Sequence, residues 1–222
     1  MKKLMGLAAL AGAATIAGAS AAHAEGTVSA NVSLTSNYMF RGLTQSDGDF
    51  AVQGGFDFET DMFYAGIWGS SIDDFGIDAN TELDLYFGFT PTTGPINWDI
   101  GLVGYFYPGA NTSIDFAELM VSGDFNPTEA LTLGAAAFVS NDFLNTGADS
   151  LYLEANAAYA FTPAFAISGA FGNQDVDGSG DYDTWNIGGT YAIHGFELDL
   201  RYHDADLTGV DEELSFTISR NL

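Results

Sequence analysis

The chain has 222 residues, with Asp and Glu numbering 30 against 5 Lys and Arg, and no cysteine. A formal net charge of −25 argues against binding nucleic acid or an anionic lipid surface through charge, and the missing thiols exclude a disulfide framework and cysteine chemistry. Yet 47% of the residues are hydrophobic and 14% aromatic, an unusual partner for so acidic a composition.

The first residues read as an export signal. Met1-Lys2-Lys3 is a basic start, Leu4 to Ala19 an apolar, alanine-rich run, and Ala22-His23-Ala24 an A-x-A cleavage site. Residues 1–24 are therefore expected to be a secretory signal peptide and residues 25–222 a single domain. Cleavage removes both lysines and leaves Arg41, Arg201 and Arg220 as the strong bases. No later stretch is apolar enough for a transmembrane helix.

The rest of the chain alternates with period two, the signature of strands, and shows no helical period. Val28, Ala30, Val32 and Leu34 oppose Ser29, Asn31, Ser33 and Thr35. Phe50, Val52, Phe56 and Phe58 oppose Gln53, Asp57 and Glu59, and Phe63, Ala65 and Ile67 oppose Tyr64, Gly66 and Trp68. A hairpin follows: Leu83, Leu85, Phe87 and Phe89 against Glu82, Asp84 and Tyr86, a turn at Pro91–Pro95, then Trp98, Ile100 and Leu102 against Asn97 and Asp99. The sixth strand sets Ala117, Leu119 and Val121 against Glu118 and Ser122; the seventh carries Leu131, Leu133 and Val139; the eighth sets Leu151, Leu153 and Phe161 against Tyr152, Glu154 and Asn156. Phe165, Ile167 and Phe171 mark the ninth, and Trp185, Ile187 and Tyr191 the tenth. The eleventh sets Phe196, Leu198, Leu200 and Tyr202 against Glu197, Asp199, Arg201 and His203; the last sets Leu214, Phe216 and Ile218 against Glu213, Ser215 and Thr217.

The connections alternate in character. Those near Thr60, Pro91–Pro95, Asn126–Ala130, Thr162–Ala164 and His194–Gly195 are tight; those near Arg41–Asp49, Ser71–Asp78, Pro108–Ser113, Asn141–Asp149, Asn173–Asp181 and Asp204–Asp211 are longer and rich in Gly, Asp and Asn. An even number of strands with short turns on one side and long loops on the other predicts an all-β fold: a transmembrane antiparallel up-and-down β-barrel of about 12 strands. Its apolar face would meet lipid, edged by aromatic belts of Phe58, Phe89, Trp98, Phe125, Phe161, Phe165 and Phe196 at the turn end and Tyr38, Phe40, Phe50, Phe106, Phe171, Trp185 and Tyr202 at the loop end. A soluble sandwich or lipocalin-like barrel also alternates, but carries both signs of charge outside and gives no reason for the loop asymmetry.

The polar parity carries Asp57, Glu59, Glu82, Asp84, Asp99, Glu118, Glu154, Glu197, Asp199, Arg201 and Glu213. In a wet lumen these line a pore and favour cations; in a filled one they form a hydrogen-bonded core around Arg201 and Arg41. Arg41, beside Gln45 and Asp47, is a candidate constriction on a loop folded into the mouth, or else a loop-anchoring ion pair. Asp175, Asp177, Ser179 and Asp181, with Gly178 between, repeat the first ligand positions of a calcium loop, but Asn186 stands where its bidentate glutamate belongs. Weak calcium binding or a solvated acidic loop both suit that run; no other cofactor is expected. His194 and His203 have no serine held near them by anything visible in the sequence, so no enzyme is expected.

The segment Ser36-Asn37-Tyr38-Met39-Phe40-Arg41-Gly42-Leu43-Thr44-Gln45-Ser46, followed by Gln53-Gly54-Gly55-Phe56-Asp57, Tyr64-Ala65-Gly66-Ile67-Trp68-Gly69-Ser70, Glu82-Leu83-Asp84 and Phe216-Thr217-Ile218-Ser219, resembles the TorF porin family of proteobacteria. The resemblance covers the whole chain after the signal and implies a barrel in the bacterial outer membrane. The final Leu222 departs from the terminal phenylalanine or tryptophan general to such barrels. The expected function is passive diffusion of small hydrophilic solutes or ions, with cations preferred; the alternative is a closed structural or adhesive barrel. The expected partners are outer-membrane lipid and the solutes themselves, with no nucleic acid, and the pattern is compatible with a homo-oligomer.

Overall fold

A computed structural model describes residues 26–222; the expected signal peptide lies outside the described residues. Twelve strands build one closed antiparallel sheet. They are β1 (Thr27–Thr35), β2 (Ala51–Glu59), β3 (Phe63–Ser71), β4 (Thr81–Phe89), β5 (Ile96–Phe106), β6 (Phe116–Phe125), β7 (Leu131–Ser140), β8 (Ser150–Thr162), β9 (Phe165–Val176), β10 (Gly180–Ile193), β11 (Phe196–Ala205) and β12 (Glu213–Asn221). Each pairs with its neighbour in the chain, and β1 pairs with β12 from Asn31↔Asn221 to Thr35↔Thr217, closing the ring. The shortest of these strands have 9 residues and the longest, β10, has 14. Strands of about 9–11 residues cross a bilayer at a tilt.

The alternation read in the sequence sets the two faces. Leu200 is 57% exposed and Glu118 0%, and the same contrast runs round the wall. Val28, Leu85, Phe87, Leu119, Leu153, Ile187 and Phe216 are exposed, while Gln53, Glu82, Asp84, Gln174, Thr190, Asp199, Arg201 and Ser215 are buried. A barrel whose outside is apolar and whose inside is polar inverts the arrangement of a soluble barrel, because its solvent on the outside is hydrocarbon.

The turn side matches the expectation. His194 and Gly195 both have positive φ, 51° and 80°, the geometry that a two-residue hairpin turn requires. On the loop side, two expectations need correction. The run Asn173–Asp181 is not a long loop. β9 continues to Val176 and β10 starts at Gly180, with Asn173↔Asp183 and Asp175↔Asp181 in register and the Ser179 amide donating to Val176 O at 3.0 Å. Polar residues there extend the wall beyond the apolar band rather than leaving it. Tyr38 and Phe40 are also not in the outer belt. Tyr38 is buried inside the barrel, and Phe40 is packed against the same interior cluster of Ala51, Tyr86, Val103, Tyr105 and Phe116. They alternate as if β1 continued, but the chain turns inward after Thr35.

An arginine at the lipid face should cost far more than one inside. Leu200→Arg is expected to lose about 2–4 kcal/mol and Ser122→Arg, inward and in register with Asp99, much less, as measured by unfolding of the barrel from lipid vesicles.

Candidate functional site

The connection from β1 to β2 folds across the mouth of the barrel. Inside it, Met39–Phe40 pairs with Leu43–Thr44 as a miniature hairpin. Its base is fixed by local polar groups. The Tyr38 amide donates to Ser46 Oγ at 2.9 Å, Thr44 Oγ1 to Asn37 Oδ1 at 2.6 Å, and Asn37 Nδ2 to Glu213 Oε2 on β12 at 3.2 Å. The tip carries Arg41 and Gly42 at φ 48° and 80°. A Cβ on Gly42 would lie 2.5 Å from Thr184 Oγ1 and 2.9 Å from Ala205 Cβ, so only glycine lets the tip reach the wall of β10 and β11.

Arg41 reaches the side of the barrel opposite its own strand. Its Nη1 donates to Glu118 Oε1 on β6 at 2.9 Å and to Gln174 Oε1 on β9 at 2.6 Å, and its Nη2 to Glu118 Oε2 at 2.6 Å. Its carbonyl accepts from the Tyr182 hydroxyl on β10 at 3.2 Å. The guanidinium also lies 4.3 Å from the ring centroid of Tyr152, 4.7 Å from Phe40 and 5.0 Å from Phe138. This bidentate, aromatic-walled seat is what a guanidinium offers and an ammonium does not. The side chain is 5% exposed. Burial opposes its charge, but Glu118 beside it outweighs that and holds its pKa above the ordinary value. Burial first, and then Glu82 and Asp84, push the Tyr38 phenol well above its own.

The inward carboxylates differ in burial. Toward the loops, Glu82, Asp84 and Glu118 are buried beneath the hairpin, and Tyr105 donates to Glu118 Oε2 at 3.0 Å. Nearer the turns, Asp57, Glu59, Asp99 and Glu197 are half-buried but Asp199 is buried; Glu154, near the middle of β8, and Glu213, at the loop end of β12, are half-buried. Several of these take tyrosine hydroxyls: Tyr64 donates to Asp99 Oδ1 at 2.7 Å, Tyr86 to Asp57, and Tyr152 to Glu154 Oε2 at 3.0 Å. A second network surrounds Arg201, which donates to Asp199 Oδ2 at 3.1 Å, Asn186 Oδ1 at 2.7 Å and Ser168 Oγ at 2.8 Å. The interior thus holds a packed, hydrogen-bonded layer under the loops, a second buried network around Arg201, and half-buried carboxylates between and below them.

Every carboxylate singled out on the polar parity, and Arg201, points inward with it. The structure does not bring Gln45 and Asp47 to the Arg41 side chain. Gln45 Nε2 donates to Leu43 O and Thr44 O of its own loop, and Asp47 is exposed. Sequence reasoning missed Gln174, Phe138 and Tyr152 as partners of Arg41; their inward parity was the one available signal. It also missed Ser215, whose Oγ lies 3.0 Å from His203 Nε2. Both residues are buried, and no hydrogen bond orients the other ring nitrogen among the described residues, so the pair lacks the third member a nucleophilic triad needs. At the calcium-like run, Asp175 and Asp181 face each other across β9 and β10 and Asp177–Ser179 form the tip. Among the described residues, no group of three or more His, Asp or Glu converges on a metal position.

Removing Arg41 leaves Glu118 buried and unpaired. Arg41→Met should cost about 3–5 kcal/mol. Adding Glu118→Gln should recover part of it, a coupling that a double-mutant cycle of barrel unfolding will read.

The architecture is similar to that of solved outer-membrane channels. A structure of the KdgM porin aligns with a TM-score of 0.59 at 8% identity, covering 88% of this chain and 98% of that one, and a second KdgM structure contains disordered oligogalacturonate. An outer membrane channel of Pseudomonas putida F1 aligns with a TM-score of 0.55 at 11% identity, covering 90% and 97%. The chain spans 62% of the length of a larger porin, with a TM-score of 0.46 and 14% identity. At such identities the likeness is one of fold. No curated protein matches the sequence. A family model matches residues 17–220, and the chain belongs to that family, Gcw_chp, described as a bacterial protein of unknown function.

Proposed function

We propose that this barrel sits in the bacterial outer membrane and lets small hydrophilic solutes or ions diffuse passively, with cations preferred. The observation that carries the reading is the lining. Among the described residues, many carboxylates and only the two arginines Arg41 and Arg201 face inward, and each arginine already holds a carboxylate. A surplus of negative charge inside a low-dielectric wall concentrates cations and repels anions. Oligogalacturonate, found with the KdgM porin, is a polyanion; the lining here suits the opposite sign or a neutral solute. Twelve strands make a barrel wider than the eight-stranded kind and narrower than a general porin, in keeping with small solutes.

In this reading the Met39–Thr44 hairpin is the constriction and Arg41 its latch. The alternative, a closed barrel with a structural or adhesive role, draws support from the same latch, because the loop-side layer is buried. Conductance separates them. In planar bilayers under a salt gradient, the reversal potential should have cation sign and shrink at high salt as the fixed charges are screened. Neutralising the half-buried inward carboxylates Asp57, Asp99 and Glu154 together should weaken it. Arg41→Ala should raise single-channel conductance. Anion selectivity would refute the reading, and a folded barrel silent with and without Arg41 would leave the structural role.

The outer tip at Asp175, Asp177, Ser179 and Asp181 is proposed to take calcium only weakly, in the roughly millimolar range of open extracellular sites. Calorimetry should find no micromolar binding there; finding it, and losing it in Asp175→Ala, would reverse that view.

A further inference from the structure

Glu82 and Asp84 stand two residues apart on the inward face of β4, so their carboxyls rise side by side from one strand. Each residue is 2% exposed. The donors around them are committed elsewhere or to one oxygen. The Tyr38 hydroxyl donates to Glu82 Oε1 at 3.3 Å, while the Tyr105 hydroxyl and the Arg41 guanidinium serve Glu118. Asp84 Oδ1 is left buried without a hydrogen-bond partner among the described residues. The salt bridges among those residues join Arg41 to Glu118 and Arg201 to Asp199, so neither gives this pair a counter-charge. Buried acceptors and like charges in one place have to be neutralised, by a cation or by a shared proton, and the free Asp84 Oδ1 offers a cation a ready ligand.

We propose that the Glu82–Asp84 pair, closed over by Tyr38, binds a small monovalent cation of the sodium class. Its donors are all oxygen, which selects hard ions over transition metals. Two carboxylates and a phenol fall short of the roughly six to eight oxygens that calcium gathers. The rings of Tyr38 and Trp68, 5.5 Å between centroids, stand beside it, with Trp68 in register with Asp84 across β3 and β4, and add aromatic faces that tolerate a cation. As a station for a permeant ion the site rests on the channel reading; as a binding site it does not.

The test uses the full exported protein, folded and purified in detergent. Its thermal unfolding midpoint is compared in sodium chloride and in N-methyl-D-glucamine chloride at equal ionic strength. Sodium should raise the midpoint saturably, by about 2–4 °C, since a ligand of the folded state alone stabilises it. Asp84→Asn should lose that increment, and Asp206→Asn, on an exposed loop, should keep it. If Asp84→Asn does not fold, Glu82→Gln serves the same comparison. Equal wild-type midpoints in the two salts, or an increment that survives both substitutions, overturn the site; a midpoint that follows pH and ignores sodium assigns the counter-charge to a shared proton and overturns it too. A sodium increment in a barrel that carries no current keeps the site and removes the channel.

Discussion

Backbone amides and carbonyls have no water to bond inside hydrocarbon, so a spanning sheet has to end where it begins. The pairing of β1 with β12 meets that demand. Closure then fixes everything else about the wall. Once Leu34 lies opposite Ile218 and Val52, the parity of each strand is locked to its neighbours, and a slip of one residue would turn carboxylates toward lipid. The inside collects whatever the outside refuses, which here is mostly acid.

The fate of that acid differs with depth. Under the loops it is consumed in a core: Glu118 by Arg41, Gln174 held in the same cluster, and tyrosines laid over both. Deeper in, Asp199 is held by Arg201 and Thr190, while Asp57, Asp99 and Glu154 each take a tyrosine hydroxyl and stay half-buried. Arg41 gains its hold from Glu118 and Gln174 together with three aromatic rings, so the hairpin is anchored by its tip as well as by its base.

The wall was legible from the sequence because lipid enforces a strict period. The β4–β5 hairpin could be read residue by residue, and the carboxylates named on the polar parity fall on the inward face, with Asp124 on β6 an addition. The contents of the barrel were not legible in the same way. Arg41 stands 77 residues from Glu118 and 133 from Gln174, and no local pattern links them. Gln45 and Asp47, its near neighbours in sequence, do not meet the Arg41 side chain, since a hairpin tip points away from its own stem. Tyr38 and Phe40 misled for a related reason: alternation persists through a segment that leaves the wall. At Asn173–Asp181 polar composition suggested a loop, but strands that rise above the bilayer are free to be polar. Ser215 and His203 meet only because β11 and β12 pair.

The seat of the hairpin also orders events in time. Gly42 comes early in the chain, yet the surface it touches is made by Thr184 and Ala205, near the end, and Arg41 docks on β6 and β9. The hairpin cannot be placed before those strands exist and curve round to meet it. The final seat of this early segment therefore depends on strands that follow it by more than a hundred residues.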